Sequence, residues 1–475
     1  MAGLSAKESM VWMVGTSLLG QGITWVITIF VARMLTPEDY GLVALSGLFT
    51  VFANIVCEMG LGAAVIQSDS VTGEEQQSLY CFSLLMGLCM FIIGWNVAAP
   101  LMVLIFDEPR LKGLVQFSSL VFLFSSAKSM PRTLMIKEMR FDKIAKIEMA
   151  CRILTSFVVL IAVVQGAGVW ALAAQWILFE LFLFIFFFSS VPVIPCFKVS
   201  FSKIKPLLIF GMHLMVRTIF TQFYNMCDSA IIGKLGSQSF LGGYNFAKQL
   251  TNIPFDKIIG LINRVLFPFF SKNKGETEKL RHWTILSAQL QLLIVVPFYI
   301  FLFYCGHEVV TVLLGENWLI AVFPLKILSA ANIFRVAESY NTNLLTALGK
   351  TAEQVKYVMA MSLAIIAGML AIYFVFGITS SILVWVIFYP VLTMVLSLYT
   401  LKMIDLSGGV LLKETSTILY SIVALLVGLQ VMDLLLSGTV WFTLVVKILV
   451  GGGLYCSALA ILDLQRIKKL VAMIV

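Results

Sequence analysis

Charge is scarce in this sequence of 475 residues: 12% of them are Asp, Glu, Lys or Arg, about half the share in ordinary soluble proteins. Polar loops are scarce too, since no segment outside the apolar runs much exceeds about twenty residues, which leaves no room for a soluble catalytic domain. Histidine numbers three (His213, His282, His307), far apart in the chain, which argues against a metal site. There is no C-x-x-C, and the eight cysteines (Cys57, Cys81, Cys89, Cys151, Cys196, Cys227, Cys305, Cys456) mostly fall inside apolar runs. They read as small buried hydrophobes rather than disulfide partners or zinc ligands. Neither a phosphate-binding P-loop, a G-x-G-x-x-G, an H-E-x-x-H nor a G-x-S-x-G is present, so nothing points to catalysis, a cofactor or ATP-driven pumping.

What is there is apolar: 60% hydrophobic residues and a mean hydropathy of +0.98. The runs are continuous, which excludes an alternating β-barrel pattern. The expected class is an all-α polytopic membrane protein of about fourteen spans, each needing ~20 apolar residues. They fall near 10–32, 41–66, 79–105, 112–134, 145–165, 168–190, 206–232, 240–266, 283–306, 322–346, 356–376, 380–400, 415–435 and 440–462. About twelve is the alternative count, because 240–266 and 322–346 are rather polar. The first run is too long for a signal-peptide core and reads as a retained span.

Lys and Arg favour cytoplasmic loops. With the N-terminus inside, inner segments hold 20 of them, and outer segments hold four (Arg33, Arg110, Lys112, Lys234). That asymmetry predicts both termini inside. It also accounts for the net charge of +8 through anionic lipid headgroups, with no need of nucleic acid as a partner.

Nine charged residues nevertheless lie well inside the expected spans: Glu58, Glu180, Arg217, Asp228, Lys248, Asp256, Lys257, Arg335 and Glu338. Facing lipid, the set would cost on the order of 20–30 kcal/mol, so these residues are expected to face one another or a wet cavity. Helical spacing lines up Asn332, Arg335, Ser339, Thr342 and Thr346, and likewise Arg217, Thr221, Tyr224 and Asp228. Gly47, Thr50, Asn54 and Glu58 form another stripe, and Lys248, Asn252 and Asp256 flank Pro254. Ser17, Gln21, Thr24 and Thr28 make an uncharged stripe, which helix–helix packing alone explains. The charged stripes predict a cavity. Its cations suit a phosphate-bearing headgroup, with Arg217, Lys248, Lys257, Arg335, Tyr224 and Asn332 as candidate binding residues. Glu58, Asp228 and Glu338 are candidate ion-coupling carboxylates. A competing reading pairs Arg335 with Glu338, three residues on.

A weak internal repeat adds to this. Ala32–Gly41 (ARMLTPEDYG) and Gly233–Gly242 (GKLGSQSFLG) are offset by 201 residues. Each has a cation, a short polar turn and a helix that starts with glycine, as in transporters built from two related halves.

Five stretches carry a family resemblance: VARMLTPEDYGLVAL (31–45), CEMGLGAAVIQ (57–67), PRTLMIKEMRFDKIAKIE (131–148), DSAIIGKLGSQSFLGGYNFAKQLTNIP (228–254) followed by LFPFFSK (266–272), and NTNLLTALGK (341–350). Together they resemble the Wzx-type polysaccharide flippases, in particular the colanic- and teichuronic-acid exporter branch. The superfamily also holds multidrug exporters and the lipid II flippase. Glu58, Asp228, Gly233, Gly236, Tyr244 and Pro254 fall on its pattern positions, Glu58 where Asp is usual. The resemblance implies two six-helix lobes, 1–200 and 201–402, with an additional pair of spans in 403–475. It implies alternating-access flipping of a polyprenyl-diphosphate-linked oligosaccharide across the bacterial inner membrane, with ion coupling. The partners are then lipid-linked glycan, membrane lipids and other polysaccharide assembly proteins. A multidrug or organic-cation antiporter is the alternative; deep charges of four basic and five acidic residues leave it open.

Overall fold

The computed structural model describes residues 22–68, 72–195, 201–436 and 438–472. Ser17 and Gln21 of the first stripe, Cys196 and the Arg217 side chain lie outside the described residues. Among the described residues the secondary structure is helical throughout, as expected where backbone polar groups must be satisfied within each segment. Among the described residues, eleven helices or continuous helical runs are long and apolar enough to cross a membrane. Large apolar side chains stand exposed along them, among them Phe374, Val391, Leu398 and Leu434, which is the surface that a hydrocarbon solvent calls for. The protein is a multi-pass membrane protein.

The first unit, residues 1–242, is compact by itself. It begins with α1 (Gly22–Met34) and α2 (Pro37–Glu58), which starts at a capping box: Thr36 accepts from the Asp39 amide and Asp39 reaches back to the Thr36 amide. Left-handed Met59 and Gly60 end it. There follow α3 (Leu61–Gln67), α4 (Gly73–Ile93), a π turn (Gly94–Ala98), α5 (Ala99–Phe106), α6 (Leu111–Ser118) and α7 (Val121–Lys137). Pro100 sits just beyond the π turn and cannot donate an amide hydrogen, which accounts for the slack in the ladder. Between α6 and α7, Ser119 Oγ bonds the Val115 carbonyl at 2.7 Å, competing with the backbone ladder. The fourth expected span is therefore two short helices rather than one long one. The unit closes with α8 (Phe141–Val164), α9 (Val169–Ser190) and α10 (Phe201–Leu235), which packs against α2.

The second unit, residues 243–475, is compact in turn. Most of α11 (Gln238–Pro254) belongs to it; a π turn (Phe255–Ile259) and α12 (Gly260–Lys272) complete the eighth expected span. Here Pro254 precedes the π turn and breaks the run for the same reason. Then come α13 (Thr277–Tyr304), α14 (Gly306–Leu314), a 3₁₀ turn (Glu316–Ala321), α15 (Val322–Ala347), α16 (Thr351–Phe376), α17 (Ile378–Ser381), α18 (Val384–Met403), α19 (Gly408–Leu435) and α20 (Val440–Ala472). The last two helices are integral to this unit. Ile418, Ile422, Leu425 and Tyr455 share one core with Val295, Tyr299 and Val336, and Tyr455 donates to the Leu293 carbonyl at 2.8 Å.

Candidate functional site

In the second unit Arg335, from the polar stripe of α15, reaches α11 and its π turn. Arg335 Nη1 donates to Asn252 Oδ1 at 2.5 Å, and its guanidinium carbon lies 3.7 Å from the Phe255 ring centroid. One turn before Asn252, Lys248 Nζ lies 5.8 Å from the Tyr244 ring centroid. The Tyr244 hydroxyl accepts from Trp385 Nε1 at 3.0 Å. A guanidinium stacked on an aromatic ring keeps its charge and is held in a defined orientation. Further along α15, Asn263 donates to Ser339 at 2.9 Å, and Gln291 to Asn263 at 3.3 Å. Asn332 is buried, while Asp256 and Lys257 are exposed on the π turn.

Glu338 has a different neighbour from Arg335. The Tyr389 hydroxyl of α18 donates to its carboxylate, and beside them Tyr357 and Thr393 hydroxyls lie 3.3 Å apart. Asn341, one turn on, donates to Ser397 at 2.8 Å and accepts from Thr400 at 2.5 Å. The result is a carboxylate within a hydroxyl- and amide-lined layer shared by three helices, where an ionised acid finds hydrogen-bond donors.

The remaining sequence-predicted residues belong to the first unit. Asp228 is fully buried in α10, with Oδ1 accepting the Ser229 amide at 2.6 Å. Tyr224 is half-buried one turn earlier, and Glu58 is exposed at the end of α2. The candidate set thus divides: Lys248, Lys257, Asn332, Arg335 and Glu338 in the second unit, the others in the first.

Two charged clusters escaped the sequence reading. The Lys128 ammonium lies buried, 2.5 Å from Glu180 Oε2. Lys447 is buried against Glu308 and Asp433. A lysine inside the apolar run VWFTLVVKILV was the available signal. Its two acids sit at span ends, where a charge needs no special account. At the opposite extreme, Arg110 clasps Glu108 at 2.8 Å and Glu38 at 2.5 Å in the turn after α5. The Arg110 hydrogen bonds hold the Glu108 carboxyl below the usual carboxylate range. Among the described residues no three His, Cys, Asp or Glu side chains gather as a metal site would need.

Residues 30–323 match the family model described as polysaccharide biosynthesis protein. The chain is 28% identical to the teichuronic acid biosynthesis protein TuaB of Bacillus subtilis (strain 168) over 63% of this chain and 62% of that protein. It is 25% identical to the lipopolysaccharide biosynthesis protein WzxC of Escherichia coli (strain K12) over 68% and 66%. It thus spans somewhat under two thirds of each of these relatives. Among solved structures, the lipid II flippase MurJ in its inward closed conformation superposes with a TM-score of 0.73 at 15% identity, covering 94% of this chain and 98% of MurJ; that likeness establishes the fold. With more than half of its length matched, the chain belongs to the polysaccharide biosynthesis protein family.

Proposed function

We propose that this protein flips a polyprenyl-diphosphate-linked oligosaccharide from the cytoplasmic to the outer leaflet of the bacterial inner membrane by alternating access. The observation that carries the reading is Arg335, oriented by Asn252 and stacked on Phe255, with Lys248 one turn away on the same helix as Asn252. Cations held in this way suit a diphosphate. The relatives' names, which concern surface polysaccharides, support the cargo class, and the MurJ-like fold supports the mode of action. In this reading Arg217, Lys257, Tyr224 and Asn332 also line the cargo path, and Glu58, Asp228 and Glu338 couple transport to an ion gradient. The chain acts as a transporter rather than an enzyme. It has two lobes (1–200 and 201–402), an additional pair of spans (403–475), about fourteen spans in all and both termini in the cytoplasm. Lipid-linked glycan, membrane lipids and other polysaccharide assembly proteins are its partners.

Deleting the gene in a host without a redundant exporter tests the reading. The expected outcome is loss of surface polysaccharide and build-up of the lipid-linked repeat unit on the cytoplasmic leaflet. Normal polysaccharide with a normal leaflet distribution overturns it. Overexpression should leave a drug-susceptibility panel unchanged; broad protection would favour the organic-cation antiporter instead.

A further inference from the structure

A buried ion pair of the first unit joins the middle of α7 to the middle of α9. Lys128 and Glu180 are each 9% exposed. Apolar side chains of similar volume often serve stability as well as or better than a buried ion pair, so stability alone does not account for this one.

The surroundings are charged and partly exposed. Arg132, one turn from Lys128, is 41% exposed at its side chain and bonds Glu148 of α8 at 3.0 Å. Arg152, one turn beyond Glu148, is exposed and lies 5.8 Å from the ring of Phe179, the residue before Glu180. From α2, exposed Glu58 repels the Glu180 carboxylate while Arg132 attracts it; Asn54, one turn earlier, accepts from Ser125 at 2.6 Å. From α4, the Tyr80 hydroxyl donates to the Ala127 carbonyl at 2.9 Å. Lys112 stands in the first turn of α6, and Cys57 and Cys151 are buried thiols on α2 and α8. Around the pair, Lys128, Arg132 and Arg152 thus stand against Glu58, Glu148 and Glu180, in balance. An anionic headgroup upsets that balance. If it takes the ammonium, a buried carboxylate is left without its partner, and such a group neutralises itself by binding a proton.

We propose that Lys128–Glu180 is an exchangeable ion pair. A phosphate oxygen of the cargo headgroup replaces the Glu180 carboxylate at the Lys128 ammonium, and the released carboxylate takes one proton from solution to become a carboxylic acid. Headgroup and proton then bind together in the first unit. This rests on the lipid-diphosphate cargo proposed above.

The test uses the purified full-length protein in detergent with farnesyl diphosphate as probe. Binding and pH are recorded together in weak buffer. Wild type should take up as much as one proton per bound probe. Glu180→Gln should bind without that uptake, and the difference between the two subtracts the probe's own protonation. Lys128→Met alone strands a buried carboxylate and risks misfolding, so the neutral pair Lys128→Met/Glu180→Gln is the decisive variant. It should fold, yet bind the probe at least about tenfold more weakly, as the loss of a charge-assisted bond requires. Proton uptake unchanged in Glu180→Gln, or wild-type affinity in the neutral pair, reduces the two residues to packing and overturns the exchange. Should wild type not bind the probe while the deletion strain still accumulates lipid-linked repeat units, the exchange falls and the flippase reading stands. If accumulation fails too, both fall.

Discussion

Gly41 and Gly242 are equivalent positions of the repeated junction, and each lies against the backbone of the other copy. A Cβ on Gly41 would stand 1.9 Å from the carbonyl oxygen of Gln238, and one on Gly242 would stand 1.7 Å from that of Pro37. Pro37 and Gln238 are themselves separated by the repeat offset, so the contact is reciprocal, as in an isologous interface. The caps match as well: Thr36 accepts from the Asp39 amide at 3.3 Å, and Ser237 from the Phe240 amide at 3.2 Å. What looked like a faint sequence echo is a local two-fold crossing of two helix starts, with glycine required because backbone meets backbone.

Gly41→Ala or Gly242→Ala should therefore lower the melting temperature sharply, since neither carbonyl can yield as a side chain would; overpacking costs typically ~1–3 kcal/mol, and more where backbone must move. Gly73→Ala, which meets no atom within 4 Å, is the control. A scan of detergent-solubilised protein reads the result, and equal melting of all three variants would contradict the crossing.

Arg335→Ala should reduce flipping at least about tenfold, the loss expected for a charge-assisted contact. Arg335→Lys should fall in between, because an ammonium cannot stack on Phe255 as a planar guanidinium does. Initial rates in proteoliposomes separate the three; full activity of the Ala variant would remove Arg335 from the cargo path.

Glu338→Gln keeps the shape of the side chain and its contact with Tyr389 but cannot ionise. Gradient-driven accumulation of cargo should disappear, while downhill exchange continues. Unchanged accumulation under an imposed gradient would take Glu338 out of coupling.

Lys447→Met leaves Glu308 and Asp433 facing an apolar side chain. Breaking a buried pair in this way costs ~3–5 kcal/mol. The triple variant Lys447→Met/Glu308→Gln/Asp433→Asn should recover most of it. A small loss in the single variant would mean that water reaches the cluster.

Arg110→Ala removes a clasp that is largely solvent-screened, and the cost at neutral pH should stay within ~1 kcal/mol. Because Glu108 is held below the usual carboxylate range, its stabilisation is present above the unfolded carboxyl value and lost as pH falls through the folded one. The melting difference between wild type and variant should thus close in acid, and shrink with salt.

The spans were legible because crossing a bilayer is decided within each segment, by the length of its apolar run. Arg335 and Glu338 were legible as costly charges. Their partners were not: Asn252, Phe255 and Tyr389 lie on other helices, and nothing along α15 indicates which of its faces meets which neighbour. The broken fourth and eighth spans were missed for a local reason, since Ser119 and Pro254 act through single hydrogen bonds that hydropathy does not register.

By itself, then, the sequence determined that the chain lives in lipid and that several ionised groups had to find shelter there. Only the tertiary structure decided who shelters whom, pairing Lys128 with Glu180, Lys447 with Glu308 and Asp433, and Arg335 with Asn252. The reason is physical: insertion energy is a sum over one segment, whereas a buried charge is satisfied by whichever distant helix packing brings within a few ångströms.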